Sequence, residues 1–185
     1  MKRFFGHLKK VIKHKYYVGK YCFMCGLYWQ GLTHDLSKFS PTEFWESVKY
    51  YQGTRSPIDA CKEENGYSMA WFHHRGRNKH HWEYWVDDFE KGVVPKKMPF
   101  KYALELICDY MGAGNAYWGD KFTMKSEYDW WVNTKREKSG PYIHPQTLAF
   151  INTMFTNMLI HGIEGTLTNK EFIRELKELY ERDRL

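Results

Sequence analysis

Seven of the nine histidines fall within the first 81 residues, as His7, His14, His34, His73, His74, His80 and His81. Imidazole is the commonest metal-binding side chain near neutral pH. A divalent cation needs three or more donors gathered from different parts of a chain, and two acids stand where they would complete such a set. Asp35 follows His34 directly, behind the apolar segment CGLYWQGLT, where Gly31 permits a turn. Asp109 sits inside the apolar run LELICDYMGAG, where a carboxylate is costly unless it is paired, hydrogen-bonded or on a metal. Neighbouring side chains on a regular helix point about 100° apart, so His34 and Asp35 converge only if the helix ends there. The same rule admits one member of His73/His74 and one of His80/His81 to a given ion, with His74 and His80 favoured. His7 and His14 share one predicted helix and one face of it, so either serves as the first ligand.

Basic residues surround these donors. Lys38 lies one turn past the His–Asp pair, and Arg75, Arg77 and Lys79 interleave the histidine pairs. Lys38 is the first choice for holding a substrate phosphate and Arg77 the second. Glu83 and Asn78 are placed to orient a ligand histidine from behind. Cys22 and Cys25 form a C-x-x-C with no second copy downstream, in an apolar helical stretch. They read as buried, reduced thiols acting as small hydrophobes.

The elements that must position these groups are helices. The chain has 185 residues, 43% of them hydrophobic and 18% aromatic, which suits one domain with a substantial core and argues against disorder. Apolar residues repeat at helical spacing over 3–30, through Phe4, Leu8, Val11, Ile12, Tyr16, Val18, Cys22, Cys25 and Trp29. SPTE at 40–43 predicts a helix start in which Ser40 caps, Pro41 takes the first turn and Glu43 closes a capping box. SPID at 56–59 repeats the device. Further helices are expected after Gly66, over 100–118, from SEYDWWVNTKRE, from HPQTLAFINTMFTNMLIHG as far as Gly162, and from a Thr168–Glu171 capping box onward. Residues 86–99 read as a loop, and no stretch alternates long enough for a sheet strand. The expected architecture is a single all-α domain over 1–185, compact, with six to eight helices. Its site is built from 1–120, and 121–185 supplies packing helices, a lid or a homodimer surface. In YDWWVN at least one Trp should face outward unless another surface covers it.

The order His14, His34–Asp35, Asp109 is similar to that of the HD-domain superfamily of metal-dependent phosphohydrolases. GLTHDLSK resembles the superfamily's doublet segment and LICDYMGAG its last-ligand helix. The segments HDLSKFSP…EF and HHWEYW also resemble an uncharacterised family of bacterial and phage proteins. The gap between His14 and His34 is short for the superfamily. The resemblance implies an HD-like helical bundle holding one or two divalent ions (Mn, Fe, Co, Ni, Mg or Zn) on His14, His34, Asp35, His74, His80 and Asp109. Asp35 would bridge two ions. The catalytic residues would be Asp35 and Lys38, the substrate-binding ones Lys38 and Arg77, with Asn78 and Glu83 behind the ligands.

The implied activity is hydrolysis of a nucleotide or similar small phosphate compound. Two ions clamp the attacking and leaving oxygens and lower the pKa of a bound water. A di-iron oxygenase would use the same ligands, and a structural zinc would use some of them. Net charge of +6 and a pI near 9.0 favour anionic partners, so a nucleic-acid-binding module is the competing class. No apolar run approaches the ~20 residues of a membrane span, and the charged N-terminal segment does not read as a signal peptide. The expected setting is the cytoplasm of a bacterial or phage-infected cell, with no membrane partner.

Overall fold

The computed structural model describes residues 1–87, 90 and 92–185. Ten α-helical segments occur among them: α1 Lys2–Met24, α2 Tyr28–Thr33, α3 Pro41–Tyr50, α4 Pro57–Asn65, α5 Met69–Arg77, α6 Phe100–Trp118, α7 Met124–Trp130, α8 Arg136–Ser139, α9 Pro145–Leu167 and α10 Lys170–Glu181. The fold is all-α. A single two-residue ladder is the exception among the described residues, with Val86 opposite Pro95 and Asp87 opposite Val94. It lies inside the segment expected to be a loop; Asp88, Phe89 and Lys91 of that segment lie outside the described residues.

The helices outnumber the six to eight expected because two patterns are broken, the repeat over 3–30 and the segment SEYDWWVNTKRE, which a π-helical turn divides between α7 and α8. The apolar repeat over 3–30 forms two helices, separated at Gly26, whose φ is +81°. The inward face of α1 also differs from the one anticipated. His7, Val11, His14, Val18, Tyr21 and Cys22 are buried, whereas Ile12 and Tyr16 are exposed, as is Trp29 of α2. Two polar side chains therefore occupy core-facing positions of this helix, and an apolar count alone rotates it the wrong way.

α6 is buried along most of its length, and Leu104, Ile107, Cys108 and Met111 all face the core as expected. It packs against α1 without an intervening side chain at one point. A Cβ on Gly112 would lie 2.3 Å from Val18 Cγ2 and 2.9 Å from the Val18 backbone nitrogen. That backbone approach is available to glycine alone, and it brings His14 of α1 to Asp109 of α6. α9 closes the core from the other side through Phe150, Ile151, Met154, Phe155 and Met158. Its axis breaks at Gly162, φ +74°, where the sequence predicts the helix to stop, but the chain then turns helical again to Leu167.

Trp131 is fully buried and stacks on Phe155, whereas Trp130 is 37% exposed. A π-helical turn over Trp131–Lys135 follows α7. The four cysteines are free thiols; Cys25 Sγ lies 3.8 Å from Cys108 Sγ. No helix among the described residues is long and apolar enough to cross a membrane.

Two capping boxes fail for physical reasons. Ser40 does accept from the Glu43 amide, but the Glu43 carboxylate turns inward to histidines rather than back to the cap. At α10 the cap is Asn169, which accepts from Phe172 N, and Thr168 Oγ1 donates to Glu164 O instead.

A candidate two-ion metal centre

α2 ends at Thr33, and the next two residues leave helical geometry. His34 is extended (φ −49°, ψ 128°), and Asp35 is left-handed (φ 55°, ψ 25°). The left-handed region costs a non-glycine residue about 1–2 kcal/mol, and Asp is among the few that visit it. The turn places both side chains of the dipeptide in one buried cluster, which a continued helix would forbid.

Three groups of donors occur among the described residues; one is His34, His80 and Glu105, and the other two meet at Asp35. His14, His34, Asp35 and Asp109 form one, and Asp35, His74, His80 and His81 form the other. Asp35 belongs to both, through different oxygens. Its Oδ2 lies 3.1 Å from His14 Nε2 and 3.4 Å from His34 Nε2. Its Oδ1 lies 3.4 Å from His74 Nε2 and 3.4 Å from His80 Nε2. Asp109 Oδ1 completes the first group, 3.1 Å from His14 Nε2 and 3.4 Å from His34 Nε2.

Buried atoms without hydrogen-bond partners concentrate in this cluster: His34 Nε2, Asp35 Oδ1, His80 Nε2 and His81 Nε2. Native proteins leave few such atoms unpaired. Three ring nitrogens and a carboxylate oxygen with nothing to bond are the donor set a divalent cation requires, so the residues fit metal.

The far edges of the rings are held by two glutamates. Glu105 Oε1 accepts from His34 Nδ1 at 2.9 Å and lies 3.2 Å from His80 Nδ1, so one oxygen steadies a ring from each group. Glu43 Oε2 accepts from His74 Nδ1 at 2.7 Å, and its other oxygen meets His73 Nδ1. Such carboxylate–histidine pairs fix the tautomer with Nε2 free to bind.

The charges respond accordingly. Burial opposes a charged His34, but Asp35, Asp109 and Glu105 outweigh it and raise its pKa well above the usual value. Burial likewise pushes Asp35 up, and His34, Lys38 and His74 overcome it, holding the carboxyl well below the usual range. Asp109 is held low in the same way by His14 and His34.

Of the residues singled out from the sequence, His14, His34, Asp35, His74, His80 and Asp109 are thus brought together. His81 joins them, against the rule that adjacent histidines diverge. That rule holds on a helix, and residues 78–81 lie in a turn after α5, with His81 extended. His7 is absent from both groups; its ring packs on Phe44 and Tyr51, and burial, helped by Lys38, lowers its pKa to about 4. Lys38 Nζ lies 2.6 Å from Asp35 Oδ2.

Arg77 ends α5 and lines a shallow cleft behind His34 and His80, beside Lys101, rather than the cavity in front of the donors. Asn78 Nδ2 lies 3.1 Å from His74 Nδ1, so it stands behind a donor histidine as expected, and it also donates to Ser37 Oγ and to His74 O at the end of α5. Glu83 Oε2 stays 4.0 Å from His81 Nδ1, beyond hydrogen-bond range. The carboxylates behind the rings are Glu105 and Glu43, which sequence reasoning passed over. Glu105 sits four residues before Asp109 on α6, and a second carboxylate on the same buried face was the available signal.

In front of the donors lies a cavity of about 230 Å³, floored by His14, His74, His81 and Asp109 and walled by Val11, Pro57, Ile58, Ala113 and Tyr117. Lys38, Lys10 and His7 also reach it. A small molecule entering here meets both donor groups at once.

Residues 3–157 match the model of a family of unknown function, DUF5662. No curated protein and no solved structure matches the chain.

Proposed function

We propose that this chain, which belongs to the DUF5662 family of unknown function, is a metal-dependent phosphohydrolase of HD type, acting on a nucleotide or similar small phosphate compound. The observation that carries the reading is the division of Asp35 between two histidine groups, one at each carboxylate oxygen. A carboxylate so placed would be able to hold a cation at each of its oxygens. Bound divalent ions would polarise a phosphoryl oxygen and lower the pKa of a water beside it.

The chain's own residues supply the rest. Lys38 stands in the cavity with its charge secured, since Asp35 and Asp109 outweigh its burial and push its pKa up to about 12. It is the cation placed to meet a substrate phosphate. Lys10 stands beside it, donating to Ala116 O. The neutral His7 adds a polar edge without adding charge. Apolar walls limit the water reaching the floor, which strengthens each charge there.

The test is phosphate release by purified protein supplied in turn with Mn, Co, Ni, Fe, Zn and Mg, against a panel of nucleotides and simple phosphate esters. Turnover that disappears in both His34→Ala and Asp35→Ala supports the reading. Turnover unchanged in both variants sinks it.

One observation favours a second reading. The cavity walls are largely apolar, and histidine and carboxylate ligation suits iron as well as manganese. A di-iron oxygenase acting on a less polar substrate would use the same centre. An oxo-bridged iron pair in aerobically purified protein absorbs visible light, and a colourless iron-loaded sample argues against it.

A further inference from the structure

A second cavity, of about 520 Å³, abuts the first and shares Ser56, Ala113 and Tyr117 with it as a common wall. Its sides include Tyr110, Trp118 and Trp130, and the Glu127 carboxylate lines it. Glu127 is only 8% exposed. No hydrogen bond or ion pair among the described residues involves its carboxylate, and burial, with Asp109 nearby, pushes its pKa up to about 7. A carboxyl that lacks a protein partner is free to accept from a ligand, and this one lines the cleft. Gly114 of α6 carries no side chain, and a Cβ there would lie 2.6 Å from Glu127 Oε2. The carboxyl therefore lies directly against α6 and faces a cleft with exposed indole rings.

Resting on the phosphohydrolase reading, we propose that this second cavity is the subsite for the organic part of the substrate. It takes a planar ring that donates N–H groups, as a nucleobase does, with Glu127 accepting those N–H groups and Trp118 and Trp130 stacking on the ring. The chemistry explains each feature together. Aromatic walls stack on a flat ring whatever its identity. A carboxyl with free acceptor oxygens selects rings bearing N–H donors. Ser56, Ala113 and Tyr117 border both the cavity in front of the donor groups and the one lined by the rings, so the two adjoin.

The experiment is calorimetric titration of the full chain with guanosine, adenosine and cytidine, with ribose as control. These probes carry no phosphate, so the readout is independent of hydrolysis. At least one nucleoside should bind and ribose should not. Glu127→Leu should weaken that binding on the order of 10-fold or more, and Trp130→Ala, at a partly exposed site, should weaken it comparably. Absence of binding by all three nucleosides, or wild-type affinity in both the Glu127→Leu and Trp130→Ala variants, overturns the proposal. Phosphate release from esters in the absence of nucleoside binding overturns it while leaving the hydrolase reading standing. Nucleoside binding that depends on Glu127 in a protein that releases no phosphate supports this subsite and removes the hydrolase.

Discussion

Glu105 is one carboxylate behind both donor groups that share Asp35, and its removal tests whether those groups hold metal. Its Oε1 holds His34 Nδ1 at 2.9 Å and lies 3.2 Å from His80 Nδ1. His34 belongs to the donor group with His14 and Asp109, and His80 to the group with His74 and His81. Truncation to alanine frees both rings to rotate and removes the carboxylate that orients them. Loss of an outer-shell partner typically costs about 10–100-fold in metal affinity, or roughly 1.4–2.8 kcal/mol per ion at 1.4 kcal/mol per tenfold. Both affinities should fall in Glu105→Ala. In Glu43→Ala only the ion beside His74 should loosen, because Glu43 touches His73 and His74 and neither ring of the first group. Glu105→Gln keeps an acceptor oxygen and loses the charge, so it should fall between wild type and alanine. Competition against a chromophoric chelator reads both sites. Affinities within about twofold of wild type at both sites in Glu105→Ala would refute the reasoning, as would a loss confined to one site.

Three further outcomes follow from the same geometry. In the metal-free chain His34 has a raised pKa, so its ion pairing stabilises the fold below the ordinary value of about 6.5 and is lost as pH rises through the folded value. Asp35 and Asp109 are held low, so their contribution is lost only in acid. The Tm of chelator-treated protein should therefore fall as pH rises above about 6.5, while metal-loaded protein, whose ions replace those protons, should hold; a flat metal-free curve contradicts this. Gly112→Ala should cost about 1–3 kcal/mol by overpacking and lower metal affinity as well, because the new methyl meets Val18 backbone and pushes His14 from Asp109; denaturant melts and metal titration check the pair of effects. Trp131→Ala should cost about 3–5 kcal/mol, since the ring is fully buried on Phe155. Trp130→Ala should cost far less than Trp131→Ala in the same melts, and equal losses would contradict the assignment of one ring to the core.

The parts of the fold that were legible in the sequence are those where one physical signal acted alone. α6 runs over Phe100–Trp118 as its unbroken apolar pattern required. The proline-led starts of α3, α4 and α9 fall where Pro41, Pro57 and Pro145 stand. The face of α1 was misjudged because His7 and His14 compete with apolar residues for the inward positions, and hydropathy gives them no weight. The break at Gly26 was missed because apolar residues continue in phase across it.

In the site, the six donors were legible from residue type and from the cost of burying Asp109. His81 was not, since its approach depends on an extended turn that no local pattern announces. Glu43 was hidden by its position in an apparent capping box, where a local role was available for a side chain that long-range packing claimed. Arg77 shows the opposite error. Its charge and its place between histidines suggested a substrate contact, and the end of α5 directs it to the far side of His34 and His80.

Elemental analysis of the purified chain, saturated with Mn or Fe and freed of loose metal, examines the bridging role of Asp35 most directly. About two ions per chain are expected in the wild type, with both lost in Asp35→Ala and only one lost in His74→Ala. Full metal content in Asp35→Ala, or a wild-type chain that retains no metal under any loading condition, would contradict the account.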